Sequence, residues 1–173
     1  MQIKRVHYLC QSLETLIQTT WEKLPIPDDE LICKPERSPL FLEPLEITEW
    51  ISGRNFSEIT NSNNFESQMP FYYLTDSFAS YYLGGYLLKS CQNLSESFNE
   101  LRDSFGFDHL LDFISSGRFH SVFALLNRDC RITLLAFIEM ILIVAEELEV
   151  DQNISVGIQI FLNRVSYLRN ETT

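Results

Sequence analysis

Apolar residues recur through the first 24 positions at steps of three and four: Ile3, Val6, Leu9, Cys10, Leu13, Leu16, Ile17, Trp21 and Leu24. That spacing draws one stripe along an α-helix. Pro25 and Pro27 stop it, because proline donates no backbone hydrogen bond and disfavours helix in the residue before it. All six prolines fall between Pro25 and Pro70, together with the polar run Asn61-Ser62-Asn63-Asn64. This stretch is therefore the irregular part of the chain. Within it, residues 45–51 predict a short helix closed near Gly53, and 56–60 a second. Its large side chains Phe41, Ile47 and Trp50 predict a segment packed across the body, since such groups favour burial.

Pro70 is placed to start or precede a helix. Beyond it Phe78, Tyr81, Tyr82, Gly85, Tyr86 and Lys89 share a helical face. Leu94, Phe98, Leu101 and Phe105 draw the next stripe, with Gly106 at its C-terminal stop. Phe107, Leu110, Leu111 and Ile114 draw another, ended at Gly117. Asn127 caps a long helix running to about Leu148, and Asn153 a last one carrying Ile154, Ile158, Phe161, Val165 and Leu168. No strand alternation of usable length and no hairpin signal occurs. The pattern predicts an all-α fold: a compact bundle of about seven helices with a proline-rich excursion after the first. One domain over residues 1–173 is expected, with the acidic segment 25–70 laid across the bundle.

Composition changes this picture little, whereas charge changes it more. The chain has 173 residues, 45% of them apolar, and 24 acidic against 13 basic side chains, a formal net charge of −11. The apolar fraction excludes a disordered acidic tail. The charge argues against binding nucleic acid by phosphate neutralisation and against docking on an anionic membrane. The most apolar run, 132–145, is shorter than the ~20 residues that span a bilayer and contains Glu139, so it reads as a core helix. The N-terminus lacks the apolar stretch of a signal peptide, and the expected location is cytoplasmic. Cys10, Cys33, Cys91 and Cys130 show no C-x-x-C spacing; reduced, mostly buried thiols are expected.

Catalytic chemistry finds little footing. His7, His109 and His120 are scattered, and neither Asp108 and His109 nor Asp112 makes the paired Glu-x-x-His pattern of a di-iron bundle. No Gly-x-Ser-x-Gly elbow is present, and Gly84-Gly85 lacks the spacing and lysine of a phosphate loop. Those glycines are better suited to letting another helix come close. No catalytic residue, metal or cofactor is expected. The densest aromatic cluster holds five of the seven tyrosines between Tyr72 and Tyr86, with Phe71 and Phe78. Nucleobase platforms are lined with cations, but Lys89 is the only one between Arg54 and Arg102. Core packing is the expected role, and a protein-binding patch the alternative.

The acidic residues offer the clearest functional signal. Residues 22–66 hold ten acids against four bases, including Asp28, Asp29, Glu30 and the three-step series Glu43, Glu46 and Glu49. A second group, Glu146, Glu147, Glu149 and Asp151, crowds the end of the long helix, and no cation occurs between Arg131 and Arg164. The helix macrodipole is negative there as well, so each charge is unfavourable by about a few tenths of a kcal/mol. A cationic partner would relieve that repulsion. These ten residues are the candidate partner-binding set.

Two segments carry a resemblance. Met69-Pro-Phe-Tyr-Tyr-Leu-Thr-Asp-Ser-Phe is similar to the aromatic helix entry, and residues 123–137 to a Leu-Thr-x-x-Gln helix start, of an uncharacterised family of small helical bacterial proteins. Thr75 stands where that family tends to have proline and Cys130 where it tends to have glutamine. The resemblance covers about a third of the chain and implies a helical fold without a known activity. The small, acidic profile also resembles bacterial immunity proteins that neutralise nuclease toxins. The expected function is thus a non-enzymatic binding protein, an immunity or inhibitor protein covering a basic toxin by charge complementarity. The alternatives are a helical adaptor or regulatory subunit using the Tyr-rich helix, and an enzyme whose site the sequence does not reveal.

Overall fold

The structure is a computed structural model, which describes residues 2–28, 31–34, 43–61, 70–96, 110 and 112–147. Among them are seven helices and no strand: α1 Gln2–Trp21, α2 Glu43–Ile51, α3 Phe56–Thr60, α4 Pro70–Tyr73, α5 Asp76–Glu96, α6 Phe119–Leu125 and α7 Arg128–Glu147. The fold is all-α, as the periodicity predicts. Residues 112–115 are also helical, and Gly117 follows them. The predicted stripe from Phe98 to Phe105 and the helix after Asn153 lie outside the described residues.

The centre is built by α1, α5 and α7. The stripe on α1 buries Cys10, Leu13, Ile17 and Trp21. It faces α7, which buries Cys130, Leu134, Phe137, Ile138, Met140 and Ile141. Thr20 and Thr133 hydroxyls meet at 3.2 Å, and Cys10 Sγ meets Met140 Sδ at 3.5 Å. Early α1 therefore lies beside late α7, and the two run antiparallel. Against α5, the indole of Trp21 lies on Gly84, where a Cβ would come within 2.3 Å of the ring. Its Nε1 donates to the Ser80 carbonyl at 3.3 Å. Gly84 thus has the role the sequence suggested, close approach of helices; any other residue would push the indole off the α5 backbone.

Three helix boundaries have an identifiable cause. Asn127 caps α7, its Oδ1 accepting the Cys130 amide at 2.9 Å, which satisfies one of the donors a helix start leaves open. Asn55 and Glu58 form a reciprocal capping box on α3. Arg131 donates to the Ala124 and Leu126 carbonyls, both at 2.9 Å, while its guanidinium lies 5.0 Å from the Phe123 ring. It thereby closes the end of α6 from the next helix, a favourable place for a cation.

Three features depart from the periodicity. Pro70 starts a helix as expected, but between it and the Phe78 stripe lies a break that spacing does not show: α4 is a single turn, and Leu74 forms an isolated antiparallel bridge with Cys33. Lys34 and Thr75 amides donate to the Tyr73 and Ile32 carbonyls, at 2.7 and 2.9 Å. Leu94 belongs to α5 rather than opening a new helix, and it is buried. The short α6, with Phe119, Val122 and Phe123 buried, is a separate element between Gly117 and Asn127, where the sequence pattern predicts no helix.

Candidate functional site

The acidic candidates begin with α2. On this helix Ile47, Trp50 and Ile51 are buried, while Leu45, Glu46 and Glu49 face outward. Burying Ile47, Trp50 and Ile51 turns the other side of the helix outward, so Glu46 and Glu49 reach solvent because their neighbours anchor the helix. Beyond Ile51 the chain turns through Gly53, whose φ of 71° suits the left-handed region. The hydroxyl of Tyr82 holds that turn to α5, donating to the Arg54 carbonyl at 2.8 Å with the Ile51 carbonyl 3.3 Å away. Trp50 Nε1 is enclosed and has no hydrogen-bond acceptor among the described residues.

The segment before α2 is fastened at the start of α5. Arg118 Nε donates to Asp76 Oδ1 at 2.7 Å, and a terminal guanidinium nitrogen donates to the Leu74 carbonyl. Lys34 Nζ stands 3.7 Å from the same carboxylate oxygen. With the Cys33–Leu74 bridge, this cluster ties residues 31–34, the first turn of α5 and the start of α6 together. Nothing in the spacing of Lys34, Asp76 and Arg118 marks them as neighbours; only the folded chain does.

Of the predicted partner-binding residues, Asp28, Glu46 and Glu49 are exposed in the structure. Glu43 begins α2, and Glu146 and Glu147 end α7. Asp29, Glu30, Glu149 and Asp151 lie outside the described residues. Glu146 and Glu147 share the final turn of α7, which carries no basic residue.

The tyrosine cluster divides. Tyr81, Tyr82 and Tyr86 are buried, Tyr73 half-buried, and Tyr72 57% exposed. Tyr82 stacks on Phe78 with centroids 6.2 Å apart and meets Tyr81 edge-on at 5.0 Å, and Phe56 of α3 meets Tyr81 edge-on at 6.3 Å. These contacts join α3 to α5 through the favoured aromatic geometries. Burial raises the hydroxyl pKa of all three buried tyrosines, Tyr86 most plainly.

The reactive inventory is otherwise quiet. Cys10, Cys33, Cys91 and Cys130 are free and buried. Burial pushes the Cys10 thiol up to about 11, with Glu14 adding to it, and Cys130 to about 12, with Asp129 adding to it; Cys91 rises further. Such thiols stay protonated near neutrality and make poor nucleophiles. His7 and His120 are exposed, and His7 Nε2 is 2.9 Å from the Gln11 side-chain amide. Among the described residues no three His, Cys, Asp or Glu side chains converge as a metal site. No helix among them is long and apolar enough to cross a membrane.

No protein-family model, curated protein or solved structure matches the chain.

Proposed function

We propose that the protein is an acidic binding module that occupies the basic surface of another protein, in the manner of an immunity or inhibitor protein neutralising a basic nuclease-type toxin. The observation that carries this reading is the α2 surface. Glu46 and Glu49 are exposed on a helix whose other face, Ile47, Trp50 and Ile51, is locked into the core. Carboxylates on an anchored helix are preorganised, so a cationic partner meets a fixed potential rather than one averaged over a loop. The net charge of −11 extends the attraction over the approach distance. Burial of Tyr81, Tyr82 and Tyr86 supports this reading over an adaptor working through the Tyr-rich helix, since among the described side chains of that cluster only Tyr72 is exposed.

The test is capture from the native cell followed by association kinetics. A basic protein is expected, binding at least about tenfold more slowly when ionic strength rises from low to well above physiological. The double reversal Glu46→Lys/Glu49→Lys should slow association further while leaving the helical spectrum unchanged, because both side chains are in solvent. Glu146→Lys/Glu147→Lys asks the same of the end of α7. A captured partner that is not basic, or an association rate indifferent to salt and to both reversals, would remove the charge-complementary reading.

A further inference from the structure

The outward side of α1 stands apart in a chain that carries 24 acidic and 13 basic residues. Between Arg5 and Glu22 the only acidic or basic residue is Glu14, which is half-buried, so every exposed side chain from position 7 to position 19 is free of formal charge. Tyr8 and Leu16 lie on this side with 67% and 42% of their surface exposed, among Ser12, Thr15 and Thr19. The three hydroxyls are already satisfied, donating to the carbonyls of Tyr8, Gln11 and Thr15 at 2.9, 3.1 and 2.7 Å. A hydroxyl that keeps its hydrogen bond on burial escapes most of the desolvation penalty, so this face can be covered at little polar cost. Toward α7 the face continues past Leu16: one turn on, Thr20 meets Thr133, and the neighbouring Ile132 is 48% exposed.

We propose that this face joins two copies of the chain, their α1 helices packed antiparallel about a two-fold axis between Ser12 and Thr15. The pattern of sizes is self-complementary. In that register Tyr8 falls level with Thr19 and Ser12 with Thr15, so each large ring meets a small side chain and four small residues meet at the axis. Antiparallel packing also opposes the two helix dipoles. It sets the Lys4–Arg5 turn of each copy level with the Glu22–Lys23 pair of the other, whereas parallel packing would bring the two Lys4–Arg5 turns together. Two chains of net charge −11 repel one another, and a face without charge is where they approach at least cost. A 20-residue helix is about 30 Å long, and two such faces with the Ile132 edge bury on the order of 1,000 Å² in total, the lower limit of a specific interface. The dimer is therefore weak and reversible. It leaves the acidic surface open, because α2 is held on α5 through Tyr82 and not on the outward side of α1. The inference does not rest on what that acidic surface binds.

Sedimentation velocity of the full chain, over a series of concentrations and salt levels, is the test. A reversible monomer–dimer equilibrium is expected, with a Kd of roughly ten to a hundred micromolar for an interface this small. Its salt dependence has the opposite sign to that of capture of a basic partner, since screening the repulsion between like-charged copies tightens the dimer. Thr15→Glu and Thr15→Lys each set two like charges beside the axis and should weaken the dimer at least about tenfold. An equimolar mixture of the two variants should dimerise again, because Glu then meets Lys; a role of Thr15 in the fold alone would give no such rescue. Tyr8→Ala should weaken the dimer, and Glu46→Lys/Glu49→Lys, outside the face, should keep it. The assignment is overturned if the wild-type chain stays monomeric at about 1 mM or if its dimer loosens as salt rises. It is equally overturned if the Thr15 variants dimerise as the wild type does, or if their mixture stays monomeric while each keeps its helical circular dichroism. Where a Thr15 variant does not fold, Tyr8→Ala decides: a dimer as tight as the wild type overturns the assignment.

Discussion

At the scale of single residues, Gly84 carries a large share of the architecture. Trp21 is fully buried and lies on it, with 2.3 Å from the ring to where a Cβ would stand. Indole atoms are not the free end of a flexible chain, so the helices must part to admit even one methyl group. Gly84→Ala should destabilise the protein by about 1–3 kcal/mol, the usual range for overpacking a core, although alanine is intrinsically the better helix former. Denaturant unfolding measures it. In the Trp21→Leu background the cost should shrink, because the clashing ring is gone; equal costs in both backgrounds would contradict the contact. Two adjacent glycines on a helical stripe suggested a close approach from the sequence, but not that the approaching group is Trp21, 63 positions away. The same limit applies to Arg118. No periodicity announces that its guanidinium meets Asp76 and the Leu74 carbonyl, since sequence patterns report which face a residue occupies and not what that face meets.

Elements were more legible, since their causes are local. The α1 stripe and the prolines after it, the short helices around Trp50 and Phe56, and the Asn127 start of α7 all appear where spacing and capping chemistry put them. Asn127→Ala should cost about 1 kcal/mol, and Asn127→Gly only a few tenths, because glycine lets solvent reach the exposed amides. Thermal unfolding of the two variants checks the order; a glycine variant as unstable as alanine would contradict it and assign the whole cost to the lost Oδ1 bond that both variants lack. The misread elements have physical reasons. Leu74 continues the helical stripe numerically, yet its bridge to Cys33 and the Thr75–Ile32 hydrogen bond draw it out of helix. Tertiary hydrogen bonds overrode propensity there. The short α6 is easily absorbed into its neighbours when read by spacing alone, and it takes its closure from Arg131 on the following helix.

For the whole molecule, buried ionisable groups set an alkaline limit. Cys10 rises from 9.0 to about 11 and Cys130 to about 12, while Cys91, Tyr82 and Tyr86 move higher than their ordinary values, all chiefly through burial. The folded state therefore holds these protons after the unfolded chain has released them. Their contribution to stability is complete below about pH 9 and falls as pH rises from there through about 12. Unfolding by denaturant should become progressively easier across that window. The 295 nm absorbance of tyrosinate at positions 81, 82 and 86 should appear together with loss of helical circular dichroism. Ionisation of these tyrosines in a fully helical protein would overturn the prediction.

By itself the sequence determined the helical class, most helix limits and the outward charge of α2, because hydrophobic period, proline and capping residues act over a few positions. Tertiary structure alone decided which members of the tyrosine cluster are interior and that Tyr72 is not, that α4 breaks at a bridge, and that Lys34, Asp76 and Arg118 meet. It also decided that Cys10 and Met140, 130 positions apart, meet across α1 and α7. Each of these depends on contacts between residues far apart in the chain, and pairing across such distances is set by how the helices pack together, not by the local spacing that the sequence displays.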